Sequence, residues 1–363
     1  MKKMVAILAG DGIGPEIMEA SRPLLAVVAR GQGHDIICQE GRVGFAAYDV
    51  HGDVMPEETW ELCCRSDAIL FGAVGLPQRD NELTPDMRPE RRALLPLRRK
   101  FGLAVNIRPV RVFPGLEKLS PLKERVLAGG VNLTFFRELT GGDYFGEKYL
   151  DRAGEWAEDV CRYTREQIEA IARAAFRMAR ETGEPVTSID KANVLGATGT
   201  YWRSVVQALH DVEFPEVKLE HVYVDAFNLY LMTQPTRFRI VLCSNAHGDI
   251  LSDGAAGLAG SMGLLASASI NPESGYAMYE PAGGSAPDIA GLGIANPVAM
   301  VLSIAMFFRH SLRDNVAANA IEWATTIALQ KYRTKDIATE DSARIVNTKE
   351  MVQAIMDCIT FSP

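Results

Sequence analysis

No apolar run in this chain approaches the roughly 18 uninterrupted residues that a membrane-spanning helix needs, so no transmembrane span is expected. The run Met4-Val5-Ala6-Ile7-Leu8-Ala9 stops at Gly10-Asp11-Gly12 and reads as a first β-strand, not a secretion signal. The six cysteines, Cys38, Cys63, Cys64, Cys161, Cys243 and Cys358, include no CxxC pair. Their mostly apolar settings suit reduced, buried thiols and a cytoplasmic location. An excess of positive charge is also missing. With 38 Lys and Arg against 46 Asp and Glu, the net charge of -8 argues against a nucleic-acid partner. No internal repeat or low-complexity linker is visible. The first loop, Gly10-Asp11-Gly12-Ile13-Gly14-Pro15-Glu16, has its glycines at 10, 12 and 14 and lacks one at the last position of the dinucleotide fingerprint GxGxxG, where Pro15 stands, so that fingerprint is not met.

What remains is the alternation of short apolar runs with longer amphipathic segments that marks an α/β protein. A chain of 363 residues suits two domains, or one sheet shared by two lobes. Strands are expected over 5–9, 68–74, 131–136, 221–224 and 240–243. Helices are expected over 166–180, where Ile168, Ile171, Ala172, Ala175 and Phe176 share a face, and over the apolar segment 298–308. The polar stretch 146–159 lacks periodicity and reads as an exposed arm or loop.

Gly248-Asp249-Ile250-Leu251-Ser252-Asp253 follows the apolar run Ile240-Val241-Leu242-Cys243. On a helix, Asp249 and Asp253 share one face and converge as hard oxygen ligands; Asp225, after His221-Val222-Tyr223-Val224, offers a third. Three such acids suit Mg²⁺ or Mn²⁺. On spacing alone, a helix cap at Asp249 and a solvated first-turn acid at Asp253 are equally natural. Arg98, Arg108 and Arg137 stand in contexts suited to gripping carboxylates through the planar guanidinium fork. Tyr144 and Lys191 could move protons if neighbours shift their pKa values, or serve as structural hydrogen-bonders. The loop from Glu280 through Gly283, Gly284, Ser285 and Ala286 to Asp288 could cradle a nucleotide, its acid accepting from ribose hydroxyls.

Taken in order, Leu8-Ala9-Gly10-Asp11-Gly12-Ile13-Gly14-Pro15-Glu16, Arg137-Glu138-Leu139-Thr140-Gly141-Gly142, Asp190-Lys191-Ala192-Asn193-Val194-Leu195, Gly248 to Asp253, Gly284-Ser285-Ala286-Pro287-Asp288-Ile289-Ala290-Gly291 and Ile294-Ala295-Asn296-Pro297 resemble the β-decarboxylating (isocitrate/isopropylmalate) dehydrogenase family, most closely its isopropylmalate branch. The branch is favoured because Glu138-Leu139-Thr140 follows Arg137 where isocitrate-type relatives usually have Glu-Asn-Thr. The resemblance implies a two-lobed fold with a shared mixed β-sheet, not a Rossmann fold. Residues 1–105 and 260–363 would form the cofactor lobe, and 106–259 the substrate, metal and dimerisation lobe.

It also implies a homodimer whose clefts are shared. Arg98, Arg108 and Arg137 would hold the two carboxylates of a 3-substituted malate, with Leu94, Leu95 and Val194 at its side chain. Asp249 and Asp253 would bind the metal together with Asp225 of the partner subunit, and Lys191 of the partner subunit would assist removal of the hydroxyl proton. Tyr144 would act as the acid after decarboxylation. Ile13, Glu280, Gly283, Gly284, Ser285, Ala286, Asp288 and Asn296 would line the cofactor, and the acid Asp288 favours NAD over NADP because it repels a 2′-phosphate. The implied reaction is oxidative decarboxylation of 3-isopropylmalate to 4-methyl-2-oxopentanoate and carbon dioxide, a step of leucine biosynthesis. A bulkier 3-substituted malate, or a catalytically weak metabolite-binding subunit, are the alternatives.

Several residues depart from the branch pattern. Ala246 and His247 stand where Leu-Phe is usual, Gly254 replaces a glutamate, and Asp143 replaces an apolar residue. Arg92 takes the place of a glycine, Leu292 that of a lysine, and Phe227 lies in an altered segment after Asp225. His247 is expected to be an ordinary packed histidine, and Phe227 to remodel the pocket or repack an interface.

Overall fold

The computed structural model describes residues 2–340 and 344–361. Its strands of three or more residues are β1 (Lys2–Gly10), β2 (Asp35–Glu40), β3 (Ala68–Ala73), β4 (Val105–Arg111), β5 (Asn132–Glu138), β6 (Lys148–Leu150), β7 (Ala157–Asp159), β8 (Val186–Asp190), β9 (Leu219–Tyr223), β10 (Ile240–Cys243), β11 (Ala266–Ile270) and β12 (Ala277–Pro281). Ten of them form one sheet in the order β2-β1-β3-β12-β11-β4-β5-β10-β8-β9. Each wing is parallel, and both meet at the antiparallel pairs β12/β11, β11/β4 and β4/β5. This mixed topology is not the Rossmann order, in agreement with the missing last glycine of the fingerprint.

The continuous apolar runs of β3 and β10 are buried along their whole length, as strands covered on both faces require. The helix Arg165–Thr182 starts with a capping box between Thr164 and Gln167, ends at left-handed Gly183, and buries the expected stripe. The helix Val298–His310 is buried over Val298 to Phe308, a core helix. The stretch 146–159 folds as an exposed antiparallel ribbon, β6 and β7, with Leu150 and Trp156 outward. No helix among the described residues is long and apolar enough to cross a membrane.

Strands β2, β4, β8, β11 and β12 escape the sequence pattern. In β4 and β11 the reason is visible: Asn106, fully buried, donates to Ser267 Oγ at 2.8 Å and Ser269 Oγ at 3.1 Å. Polar side chains that satisfy one another inside the sheet leave no apolar alternation to read. Phe227 lies in the core, its ring at 4.8 Å from that of Phe238 and edge-on to Phe135, so it does not line a pocket. Phe227→Ala should lower the unfolding free energy by about 3–5 kcal/mol through the cavity it leaves, a loss readable by denaturant titration. An unchanged midpoint would show that the packing there is dispensable.

Candidate active site

Sheet parity builds the centre of the site. In the β4/β5 register Asn106 faces Arg137 and Arg108 faces Phe135, so Arg108 and Arg137 project from the same face of neighbouring strands. Arg98 joins them from the short helix Leu95–Lys100. All three are buried. Buried guanidinium groups need partners, and each has a carboxylate. Arg137 is paired with Asp249, Arg108 Nη1 lies 2.9 Å from Asp253, and Arg98 Nη2 lies 3.3 Å from Glu280. Arg137 is also clamped through Nε (3.0 Å) and Nη2 (2.7 Å) to Asn245 Oδ1, while Asn245 Nδ2 donates to the Gly141 carbonyl. Arg108 is held in the same way by Asn106 and Ser252. One buried donor, Arg98 Nε, has no partner among the described residues.

Asp249 and Asp253 stand on the helix Asn245–Ala259, which begins at Ser244 as N-cap. Asp249 is therefore in the second turn and caps nothing, and Asp253 is an ion-paired acid beyond the first turn; both structural alternatives fall away. The two carboxylates, one helical turn apart, reach a single atom, Arg108 Nη1, at 3.4 and 2.9 Å. Burial pushes the Asp249 carboxyl up, but Arg137 and Arg108 outweigh it and hold its pKa below the ordinary carboxylate value. For Asp253 burial prevails, aided by repulsion from Asp249 against the pull of Arg108, and its pKa is raised. Tyr144 donates its hydroxyl to Asp249 Oδ2 at 2.8 Å. Burial and the charge of Asp249 push its phenol up to about 12, so at neutral pH it keeps its proton.

Arg98, Arg108, Arg137, Tyr144, Asp249 and Glu280 line a cavity of about 320 Å³, with Leu94 and Leu95 on its apolar side. Those leucines follow from a π-helical turn, Glu90–Leu94, and Glu90 lines the same cavity. Such turns insert an extra residue and re-aim side chains. Arg92 instead pairs with Asp53 at 2.7 Å, which accounts for a charge there without giving it a part in the cavity.

The cofactor candidates gather where the first turn meets the loop after β12. The Ile13 N–H donates to the Ser285 carbonyl at 2.8 Å, and Ser285 Oγ donates to the Gly75 carbonyl at 2.5 Å. A Cβ on Gly12 would lie 2.0 Å from the Ser285 oxygen, so only glycine allows this approach. Gly284 borders this cavity with open space beside it, whereas a Cβ on Gly283 would meet Met262 at 3.1 Å. Ala286 adopts a left-handed φ of 37°, the strained turn that delivers exposed Asp288. Asn296 is buried and donates to Asp336 Oδ2 at 3.0 Å. Leu292 is exposed.

Lys191, Asp225 and Val194 lie elsewhere on the chain. Asp225 is in the first turn of the helix Val224–Thr233, not at a strand end, and its exposed carboxylate accepts from Lys191 Nζ at 2.6 Å. That hydrogen bond holds its pKa below the usual carboxylate value. Val194 is 68% exposed. Among the described residues no three acids, histidines or cysteines of one chain meet around a single point. His247 is half-buried, its Nδ1 has no partner among the described residues, and it lines a separate cavity of about 190 Å³ together with Asp143, Ala246 and Lys191. Three of the departures from pattern meet in that one place. Gly254 is exposed with open space around it. Sequence reading missed Asn245, Asn106, Ser252 and Glu90; polar residues abutting an apolar strand were the available signal.

The family model described as isocitrate/isopropylmalate dehydrogenase matches residues 4–355. The 3-isopropylmalate dehydrogenase of Desulfotalea psychrophila is 49% identical over 98% of this chain and 99% of its own, and that of Haemophilus influenzae is 48% identical over the same shares. Among solved structures, isocitrate dehydrogenase from Methylococcus capsulatus superposes with a TM-score of 0.84 at 31% identity, covering 98% of this chain and 99% of that one. A β-decarboxylating dehydrogenase from Thermococcus kodakarensis gives 0.78 at 31% identity, over 98% and 96%.

Proposed function

Because the chain belongs to the isocitrate/isopropylmalate dehydrogenase family of β-decarboxylating dehydrogenases, we propose that it oxidises and decarboxylates 3-isopropylmalate to 4-methyl-2-oxopentanoate with NAD and a divalent cation, as a step of leucine biosynthesis. The observation behind this reading is a set of three ion pairs, in which the buried guanidinium groups that line one cavity are paired with Asp249, Asp253 and Glu280. That set is neutral, so a dianionic malate entering alone would leave net negative charge in a desolvated place, whereas dianion and dication enter as a neutral pair. Asp249 and Asp253, converging on one point from successive helical turns, suit Mg²⁺ or Mn²⁺ through hard oxygen atoms, with Asp225 of the partner subunit as third ligand. A cation so held supplies Lewis-acid polarisation of the substrate's C2 oxygen.

Arg98, Arg108 and Arg137 grip the two carboxylates, and the free Nε of Arg98 has a bond to give. Prior anchoring of these side chains means that little freedom is lost on binding. Leu94 and Leu95, with Val194 of the partner subunit, enclose the isopropyl group. Lys191 of the partner subunit takes the C2 hydroxyl proton, and NAD, when bound, would supply the hydride acceptor for C2. Tyr144, protonated at neutral pH, then delivers its proton to C3 once carbon dioxide has left. In this reading residues 1–105 and 260–363 form the cofactor lobe, with Ile13, Glu280, Gly283 to Ala286, Asp288 and Asn296 along the dinucleotide; 106–259 form the substrate, metal and dimer lobe.

The test is NADH formation from a panel of 3-substituted malates with Mg²⁺ or Mn²⁺. Activity on 3-isopropylmalate that stops with EDTA is expected. Preference for an aryl-substituted member would reassign the substrate, and silence on every member would point to a binding subunit. Asp288→Lys should move the cofactor ratio toward NADP, because it exchanges repulsion of a 2′-phosphate for attraction. An unmoved ratio would take Asp288 out of the ribose site.

A further inference from the structure

A second charged cavity lies behind the substrate face of β4. Alternation sends Arg108 to one side and Arg111 to the other, where the register sets Arg111 opposite Asn132 and Pro109 opposite Thr134. With Arg309 and His310 from the helix Val298–His310 and Glu322 from the helix Asn315–Lys331, these residues line about 220 Å³. The charges there do not balance. Arg309 takes Glu322 at 2.7 Å and also bonds Asn315 and Asn319. Arg111, half-buried, lies over the ring of Phe113 at 4.5 Å, and among the described residues its guanidinium has no hydrogen-bond acceptor and no ion pair within 4 Å. Burial, reinforced by Arg309 and only partly offset by Glu322, pulls its pKa below the ordinary arginine value. Burial and Arg309 also depress His310, to about 4, so the imidazole is neutral at working pH and contributes a hydrogen-bonding group without charge.

Two guanidinium groups therefore share one carboxylate at the rim of a partly desolvated space, and the donor fork of Arg111 is unused. We propose that this cavity binds a small oxyanion between Arg111 and Arg309, phosphate being the representative chemistry. Its volume is below the roughly 300–1,000 Å³ of drug-sized pockets, so the ligand has few heavy atoms. Seated there, it would brace β4 against the two helices on the face opposite Arg108.

The experiment is isothermal titration of the purified full chain with inorganic phosphate, and separately with glycerol 3-phosphate, at ionic strength held constant with chloride. Wild-type protein and Arg137→Gln should bind phosphate alike, since Arg137 lies on the opposite face. Arg111→Gln should bind at least about tenfold more weakly, the loss expected for a charge-assisted fork. Arg111→Lys, which keeps the charge and loses the fork, should fall between, and it serves if the glutamine variant does not fold. Binding of both ligands would identify a phosphomonoester site, and binding of phosphate alone an inorganic-anion site. The proposal is overturned if wild type shows no phosphate binding beyond chloride, if Arg111→Gln and Arg111→Lys retain wild-type affinity, or if Arg137→Gln abolishes it.

Discussion

Asp249→Asn is expected to cut turnover by about 10²–10³-fold, in the range that follows loss of one preorganised electrostatic group from an active site. The substitution is nearly isosteric but removes the charge on which four groups depend. Arg137 is paired with Asp249, Arg108 approaches it at 3.4 Å, Tyr144 donates to it, and under the proposed function it is one of two metal ligands from its own chain. Breaking a buried pair by neutralising one partner costs about 3–5 kcal/mol where burial is complete, and less here, because Asp249 is 29% exposed. A lowered melting temperature should therefore accompany the kinetic loss. The separating measurement is a Mg²⁺ titration of turnover at a temperature where circular dichroism shows the variant folded. A raised metal requirement together with depressed turnover at saturating metal supports the ligand role. Near-normal turnover without added metal would refute it.

Mixing Lys191→Ala protein with Tyr144→Ala protein should restore activity that neither variant has alone. Lys191 and Asp225 contact each other on the chain, while Tyr144 contacts Asp249 in a different cavity, so one chain does not unite the proposed proton-handling groups. In a homodimer with crossed contributions, each mixed dimer contains one site with both residues intact and one with neither. Random exchange makes half the dimers mixed, so recovery should approach about a quarter of wild-type activity. Subunit exchange is verified by mass spectrometry of differently tagged chains. No recovery despite complete exchange would mean that each cleft is built from one chain, and the shared-site reading would fail.

The residues proposed to carry the chemistry are legible in the sequence, and the contrast between Asp249 and Asp253 explains why some of their properties are not. A spacing of four on a helix places two side chains one turn apart wherever the helix lies, so the convergence of this pair is a local property. Their opposite pKa shifts are not local, because they depend on how the guanidinium groups of Arg137 and Arg108 are shared between them. Likewise the amphipathic stripe of 166–180 and the apolar segment 298–308 were readable from the sequence pattern, whereas β4 and β11 were not. Their buried asparagine and serines are satisfied across strands about 160 residues apart in sequence, a pairing no local pattern contains.

Chain order alone thus determined the α/β class and the glycine turn and singled out the candidate acids and arginines, since each depends on contacts within a few residues or on composition. Long-range register decided the rest: that Arg108 and Arg111, three positions apart on one strand, serve opposite faces, and that Asn245 anchors Arg137. Register also decided that Val194, Lys191 and Asp225 lie outside the cavity lined by the arginines of their own chain. Side-chain direction in a sheet and the neighbours of a buried charge are set by which strands pair, and that is a property of the folded chain as a whole.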